Sequence, residues 1–281
     1  MGSIRLIPIV TGFPSVQEAS PPIVLVFGPF DPTGSAFLPA DAITCAALGG
    51  HAISAVTALH IQDTANVEDV QDISPDIIDD QARCLLEDMS VRAIKAGPLY
   101  TTDAVRVLAQ IAADYADVPL VVHLAGVPQV FASNEHDLEE VNAALCELLL
   151  PQTDLVIIED SLLSQWGNDG VLPGRGAGHL ADTLRSFGTP WVLTTGETLR
   201  PGHRAYVLRG PDQQVFNWAW HAPQARTANL DGPLACALTV ALGQGKALPG
   251  AAEDAIKATV ELTARTFRPG MGSRLINRTA P

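Results

Sequence analysis

Short runs of branched apolar residues alternate with longer amphipathic stretches along this chain, and that alternation restricts the fold more than any other feature. Ile23 to Phe27 is a continuous apolar run, as a strand buried on both faces requires. A Gly/Pro-rich turn follows, Gly28 to Ser35, then helical spacing at Ala40 to Leu48 and a return to strand character at His51 to Leu59. The same order repeats. Helical stretches are expected at Pro75–Met89, Thr102–Tyr115 (with Thr101 or Thr102 as N-cap), Leu138–Leu150, Gly178–Phe187, Gly232–Gly243 and Ala251–Thr266. Strands are expected at Ala93–Ala96, Leu120–His123, Leu155–Ile158 and Trp191–Thr194, with a hairpin from Ala205–Leu208 and Val215–Trp220. Strands alternating with helices imply an α/β fold: a doubly wound, mostly parallel sheet with helices on both faces and a small antiparallel edge. Residues 1–22 read as an extension, within which Ile4 to Val10 could add an edge strand, and 23–281 as one domain. Trp166 to Gly178, rich in glycine, reads as a long loop.

Composition narrows the function. The 281 residues are 47% hydrophobic but only 5% aromatic, so the core must be built from Ala, Val, Leu and Ile. The net charge of −14 repels phosphate backbones and argues against nucleic acid as a partner. It leaves room for small phosphorylated ligands, which helix N-termini bind locally. No apolar run reaches the roughly 20 residues of a bilayer span, and the N-terminal stretch does not read as a signal peptide, so the expected compartment is the cytoplasm. Cys45, Cys84, Cys146 and Cys236 form no C-x-x-C pair and read as buried free thiols.

In a parallel sheet, ligands bind beyond the carboxyl ends of the strands. The first such turn lacks both G-x-G-x-x-G and the P-loop pattern. The wider stretch from Asp31 to Asp41, D-P-T-G-S-A-F-L-P-A-D, resembles the D-P-S-G-G-A-G-I-Q-A-D signature of the hydroxymethylpyrimidine and phosphomethylpyrimidine kinases of thiamine synthesis. The resemblance continues in register through Ala46–His51, Val56–Leu59, Gln62-Asp63-Thr64 (the family's Q-N-T), Lys95-Ala96-Gly97-Pro98-Leu99 (K-I-G-M-L), Leu120–His123 and Gly270-Met271-Gly272. It covers roughly residues 23–276 and implies a ribokinase-like fold, ATP with Mg²⁺ as cofactors, a pyrimidine-like small molecule as acceptor and a homodimer.

The resemblance also assigns residues. Gln62, Asp41 and Ala36 match positions around the family's aminopyrimidine, and an amide such as Gln62 can offer that ring both a donor and an acceptor. Read without the resemblance, Gln62 is an ordinary loop amide and Asp41 a surface or capping carboxylate. His60, beside Gln62, and His123, at a strand end, are further pocket candidates; each is equally a hydrogen-bonded core side chain.

Several positions depart from the family pattern. Its anion hole, G-T-G-C or G-A-G-D, aligns with Asn229-Leu230-Asp231-Gly232, so Gly232 stands where the Cys or Asp base belongs. Asp231, one residue away, is the available base if the loop shifts in register, or simply an N-cap. Pro233 removes one amide donor. The family's N-x-x-E aligns with Glu159-Asp160-Ser161-Leu162, which leaves Glu159 and Asp160 as carboxylates for a cation. Its nucleotide-side K-G-G reads Thr195-Gly196-Glu197, losing a cation and gaining an anion. Phe37 replaces a Gly, Pro39 a Gln, Pro98 a Met and His123 an Asp.

Overall fold

The computed structural model describes residues 20–128, 130, 135–172, 179–221, 227 and 230–279. The possible strand at Ile4–Val10, the end of the glycine-rich loop at 173–178 and Asn229 lie outside the described residues.

Nine strands form the main sheet: β1 Ile23–Phe30, β2 His51–Gln62, β3 Val67–Asp72, β4 Val91–Ala96, β5 Leu120–Leu124, β6 Leu155–Glu159, β7 Trp191–Arg200, β8 His203–Arg209 and β9 Val215–Ala219. Their spatial order is β3-β2-β1-β4-β5-β6-β7-β8-β9. The six strands from β2 to β7 are mutually parallel; β3 at one edge and β8–β9 at the other are antiparallel. Strand order reverses between β1 and β4, the place where an open α/β sheet forms its ligand crevice. There the Gly97 amide donates to the Phe27 carbonyl at 2.8 Å. A separate antiparallel pair, β10 Thr266–Phe267 and β11 Leu275–Ile276, lies near the C-terminus.

The helices are α1 Phe37–Ala47, α2 Pro75–Asp88, α3 Thr102–Asp114, α4 Glu135–Ala144 (continued by a π turn at Leu145–Leu149), α5 Asp160–Asn168, α6 Leu180–Arg185, α7 Asp231–Gly243 and α8 Gly250–Thr263. Thr101 caps α3, accepting from the Ala104 amide at 3.2 Å. The pleat sends alternate strand residues to two cores. Leu25, Phe27, Ile94, Val122 and Ile158 pack with α2 to α6. Val24, Val26, Val121, Ile157 and Leu193 pack with α1, α7 and α8. The doubly wound architecture expected from the sequence is thus present.

Four details differ from expectation. β3, sequence VEDVQD, escaped notice because only Val70 is buried on this edge strand. Asp160–Asn168 is a helix rather than loop, burying Leu163 and Trp166. β7 runs on to Arg200 through a register break between Thr194 and Glu197, where Gly196 has φ +69°. Cys84 is exposed while Cys45, Cys146 and Cys236 are buried, because α2 buries only Ile78, Ala82 and Leu86. No helix among the described residues is long and apolar enough to cross a membrane.

Candidate active site

The turn after β1 is organised by one carboxylate. Asp31 is fully buried and accepts from the hydroxyls of Thr33 (2.7 Å) and Ser35 (2.6 Å) and from the amides of Thr33, Ser35 and Ala36. This network sets the direction in which α1 starts. From the C-terminal tail, buried Arg278 reaches back to the Ser35 carbonyl (3.2 Å) and the Thr44 hydroxyl (2.9 Å). Ala36, buried, occupies the N-cap of α1. Phe37 follows with φ +53°, a conformation in which glycine costs little and a bulky residue is strained.

Phe37 lies edge-on to His60, ring centroids 5.3 Å apart. His60 is buried between two polar partners: Nδ1 is 2.8 Å from Gln62 Oε1 and Nε2 is 3.0 Å from the Tyr100 hydroxyl. The tautomer that satisfies both donates from Nδ1 to Gln62 and accepts from Tyr100. The acceptor oxygen of Gln62 is thereby engaged by His60. Burial keeps the Tyr100 phenol protonated, its pKa far above the usual range, and Asp72 and Asp31 act in the same direction.

Beneath the strand ends lies a buried ion pair. Lys95 Nζ donates to Asp41 Oδ2 at 2.6 Å, and both are almost wholly buried. The Cys236 thiol donates to Asp41 Oδ1 at 3.1 Å, joining α1 to α7. Burial opposes the Lys95 charge and Asp41 leads the groups that favour it, so that the pKa stays above the ordinary lysine value. Asp41 therefore faces Lys95 and Cys236 in the interior.

His123, one position further along the same face of the sheet, is 4% exposed. Burial, aided by the Lys95 charge, pushes its pKa down to about 3, so the imidazole is neutral. It lines a crevice of about 280 Å³ together with Glu159, Thr195, Gly196, Tyr206, Trp220 and Asp231. Asp231 is the first residue of α7, and Leu230 occupies the N-cap position without a side-chain bond, so Asp231 does not cap the helix. Its Oδ2 accepts from the Thr195 hydroxyl at 2.8 Å. Burial pushes the Asp231 pKa up to about 6; Thr195 acts against the rise, and the Glu159 charge adds to it. Gly232, buried at the second position of α7, contributes backbone only.

The crevice brings together His123, Glu159, Thr195, Gly196 and Asp231 from the sequence-based candidates; Ala36, Asp41, His60 and Gln62 are not among its lining residues. Asp160 begins α5, where burial raises its pKa, Glu197 adds to the rise, and His179 and Arg204 oppose it. The anion expected at 197 is neutralised. Glu197 makes two 2.6 Å hydrogen bonds to Arg209 and lies 3.4 Å from His179 Nε2. Although burial would raise its pKa, these partners hold it at about 2. Among the described residues no three His, Cys, Asp or Glu side chains converge as a metal site. The Glu159 carboxylate lining the crevice fits Mg²⁺, which takes one or two carboxylates and completes its shell with phosphate and water.

A family model described as phosphomethylpyrimidine kinase matches residues 31–277. The chain belongs to the phosphomethylpyrimidine kinase family. The hydroxymethylpyrimidine/phosphomethylpyrimidine kinase of Mycobacterium tuberculosis is 29% identical over 267 residues, covering 90% of this chain and 92% of that one. The fold is ribokinase-like. Phosphomethylpyrimidine kinase from Clostridium difficile superposes with a TM-score of 0.68 at 20% identity, covering 85% of this chain and 98% of that one. Pyridoxal kinase from Staphylococcus aureus in complex with pyridoxal superposes with a TM-score of 0.77 at 18% identity, covering 92% and 94%.

Within this family frame the departures acquire positions. Thr195 holds Asp231, Leu162 lines the crevice wall, and Phe37 keeps the left-handed backbone that suits the family's glycine. Sequence reading missed Asp31, Lys95 and Arg278 as organisers, because each acts through partners distant in sequence or through its own turn. It also missed the aromatic wall of Tyr206 and Trp220. The alternating Phe216, Trp218 and Trp220 at the sheet edge was the available signal.

Proposed function

We propose that this chain is an ATP-dependent kinase that phosphorylates the hydroxymethyl group of an aminopyrimidine, the reaction named for its relatives in thiamine biosynthesis, and that Asp231 is its base. The observation that carries this reading is the Asp231 carboxyl: it opens α7, faces the crevice and has a pKa of about 6, close to the range in which a base is half-poised at neutral pH. In-line transfer needs little covalent help from the protein. It needs a positioned alcohol, a proton acceptor and donors for the transferring phosphoryl group. The amides at the start of α7 supply such donors, fewer by one at Pro233. Thr195 orients the carboxylate. Bound with ATP, Mg²⁺ would neutralise phosphate charge, and Glu159 would help to hold it.

On this reading residues 23–281 act as one kinase domain in the cytoplasm, with 1–22 an extension. Exposed Ile43, Leu59 and Ile61 supply apolar surface for a homodimer. Gln62, His60, Asp41 and Ala36 shape the acceptor side from behind Phe37. The nucleotide lies toward Thr195, Gly196 and Asn229.

A second reading, a pyrimidine binder with little phosphoryl transfer, is favoured by Gly232 at the family's base position and Thr195 at its lysine position. Coupled ADP release, measured with hydroxymethylpyrimidine, its phosphate and pyridoxal, separates the readings. ADP release with either pyrimidine supports the proposal. Release with pyridoxal alone assigns a different acceptor. A pyrimidine-induced rise in Tm without ADP release selects the binder.

A further inference from the structure

The crevice is poor in cations where a triphosphate needs them. Thr195 stands at the lysine position of the family pattern. Arg209 is held by Glu197 through two hydrogen bonds, and Lys95 is neutralised by Asp41. The chain as a whole carries −14. One further guanidinium packs just outside the crevice, against its lining residues Gly196 and Trp220, and its charge reaches Asp160. Arg204, on β8 opposite Thr198, is exposed and makes no ion pair among the described residues.

Its position is set by an aromatic ring. The Arg204 guanidinium carbon lies 5.3 Å from the centre of the Trp220 ring, within cation–π range. The Trp220 amide also donates to the Arg204 carbonyl at 3.2 Å, so the two side chains rise together from adjacent backbone. Gly196 completes the arrangement. A Cβ there would sit 3.7 Å from the Trp220 ring and 3.9 Å from Arg204 Nη1, so backbone, ring and guanidinium are in direct register. Gly196 and Trp220 both line the crevice that holds Asp231.

We propose that Arg204 is the phosphate-binding cation of this site, delivered from β8 past Gly196 in place of the lysine the family pattern sets at 195, with Trp220 as its perch. The inference rests on the kinase reading above. The ligand class is a nucleoside polyphosphate. The planar fork of an arginine can pair with two phosphate oxygens at once, which a lysine cannot do. Supply from the neighbouring strand frees position 195 to hold the base.

The test is binding of ATP and of adenosine to the full-length chain, by calorimetry or by Trp fluorescence, for wild type, R204Q and R204K. R204Q is expected to weaken ATP about 10- to 100-fold, the scale of hydrogen bonds to charged groups. Adenosine affinity and the circular dichroism spectrum stay as in wild type, and R204K falls between. ATP binding equal in wild type and R204Q overturns the inference alone. Loss of ATP together with adenosine or native dichroism assigns Arg204 a structural role and also overturns it. A wild-type chain that binds no ATP defeats the kinase reading, and this inference with it.

Discussion

Thr195 and Asp231, 36 positions apart in the chain, meet through a 2.8 Å hydrogen bond that ties the middle of β7 to the first residue of α7. The bond favours the charged carboxylate, against burial and against Glu159, which both favour the neutral form. T195V removes a donor to the anion, so the Asp231 pKa rises further above 6. The acid limb of the kcat/KM profile should move to higher pH in T195V and stay in place in T195S. An unmoved limb in T195V would detach Thr195 from the base.

The same carboxyl carries a stability signature. Its folded pKa of about 6 lies above the value of about 3.9 for an unfolded aspartate. The protonated form therefore favours folding, an advantage complete below pH about 4 and lost as pH rises through about 6. D231N should be more stable than wild type at pH 7.5, with the gap shrinking as pH falls toward 4. Thermal unfolding at the two pH values reads this directly. A gap that does not change with pH would mean the carboxylate is well solvated, and one that widens on acidification would mean its folded pKa lies below the unfolded value.

The Lys95–Asp41 pair sits in the core beneath the crevice, and removing one member strands the other. K95M or D41N should each cost about 3–5 kcal/mol in denaturant unfolding. The double change K95M/D41L should cost less than the sum of the single changes, because no lone charge remains. Losses that simply add would show that the two groups are not coupled.

Phe37 holds a left-handed backbone and fills space between Gly97 and the His60 ring. F37G should relieve strain of about 1–3 kcal/mol while giving up part of the ring's burial. More tellingly, it clears the acceptor side, so KM for hydroxymethylpyrimidine should fall by about tenfold or more. Steady-state kinetics with saturating ATP would show it. An unchanged KM would place the acceptor away from this ring.

Behind the acceptor side, the C-terminal tail braces the Gln62–Thr64 segment. A Cβ on Gly272 would lie far inside contact distance of the Thr64 carbonyl, and the Ser273 amide donates to that same oxygen at 2.8 Å. G272A must displace one of the two segments. It should lower Tm by several degrees, whereas G126A, with open space around its Cβ, should not. Equal Tm values for the two variants would remove the brace.

The layered fold was legible because the parallel strands are short apolar runs separated by longer helical stretches, several of them, such as α2 and α3, clearly amphipathic. β3 was not, since an edge strand with one buried residue, Val70, has no apolar pattern to read. Side-chain roles were legible where they depend on local order and obscure where they depend on the partner. Asp231 looked like a helix cap, but its carboxylate turns to Thr195. Asp41 looked like a pocket or surface carboxylate until Lys95, 54 residues on, met it. Glu197 read as a charge facing the nucleotide, and only the β7–β8 pairing shows that Arg209 takes it up.

The account turns on Asp231 as the proton acceptor in phosphoryl transfer. Its most direct test is turnover of ATP and hydroxymethylpyrimidine by wild type and D231N, with ATP affinity measured alongside. The account predicts measurable turnover by wild type and a loss of about 10²–10⁴ in kcat for D231N with ATP binding little changed. Equal turnover by the two proteins would contradict it.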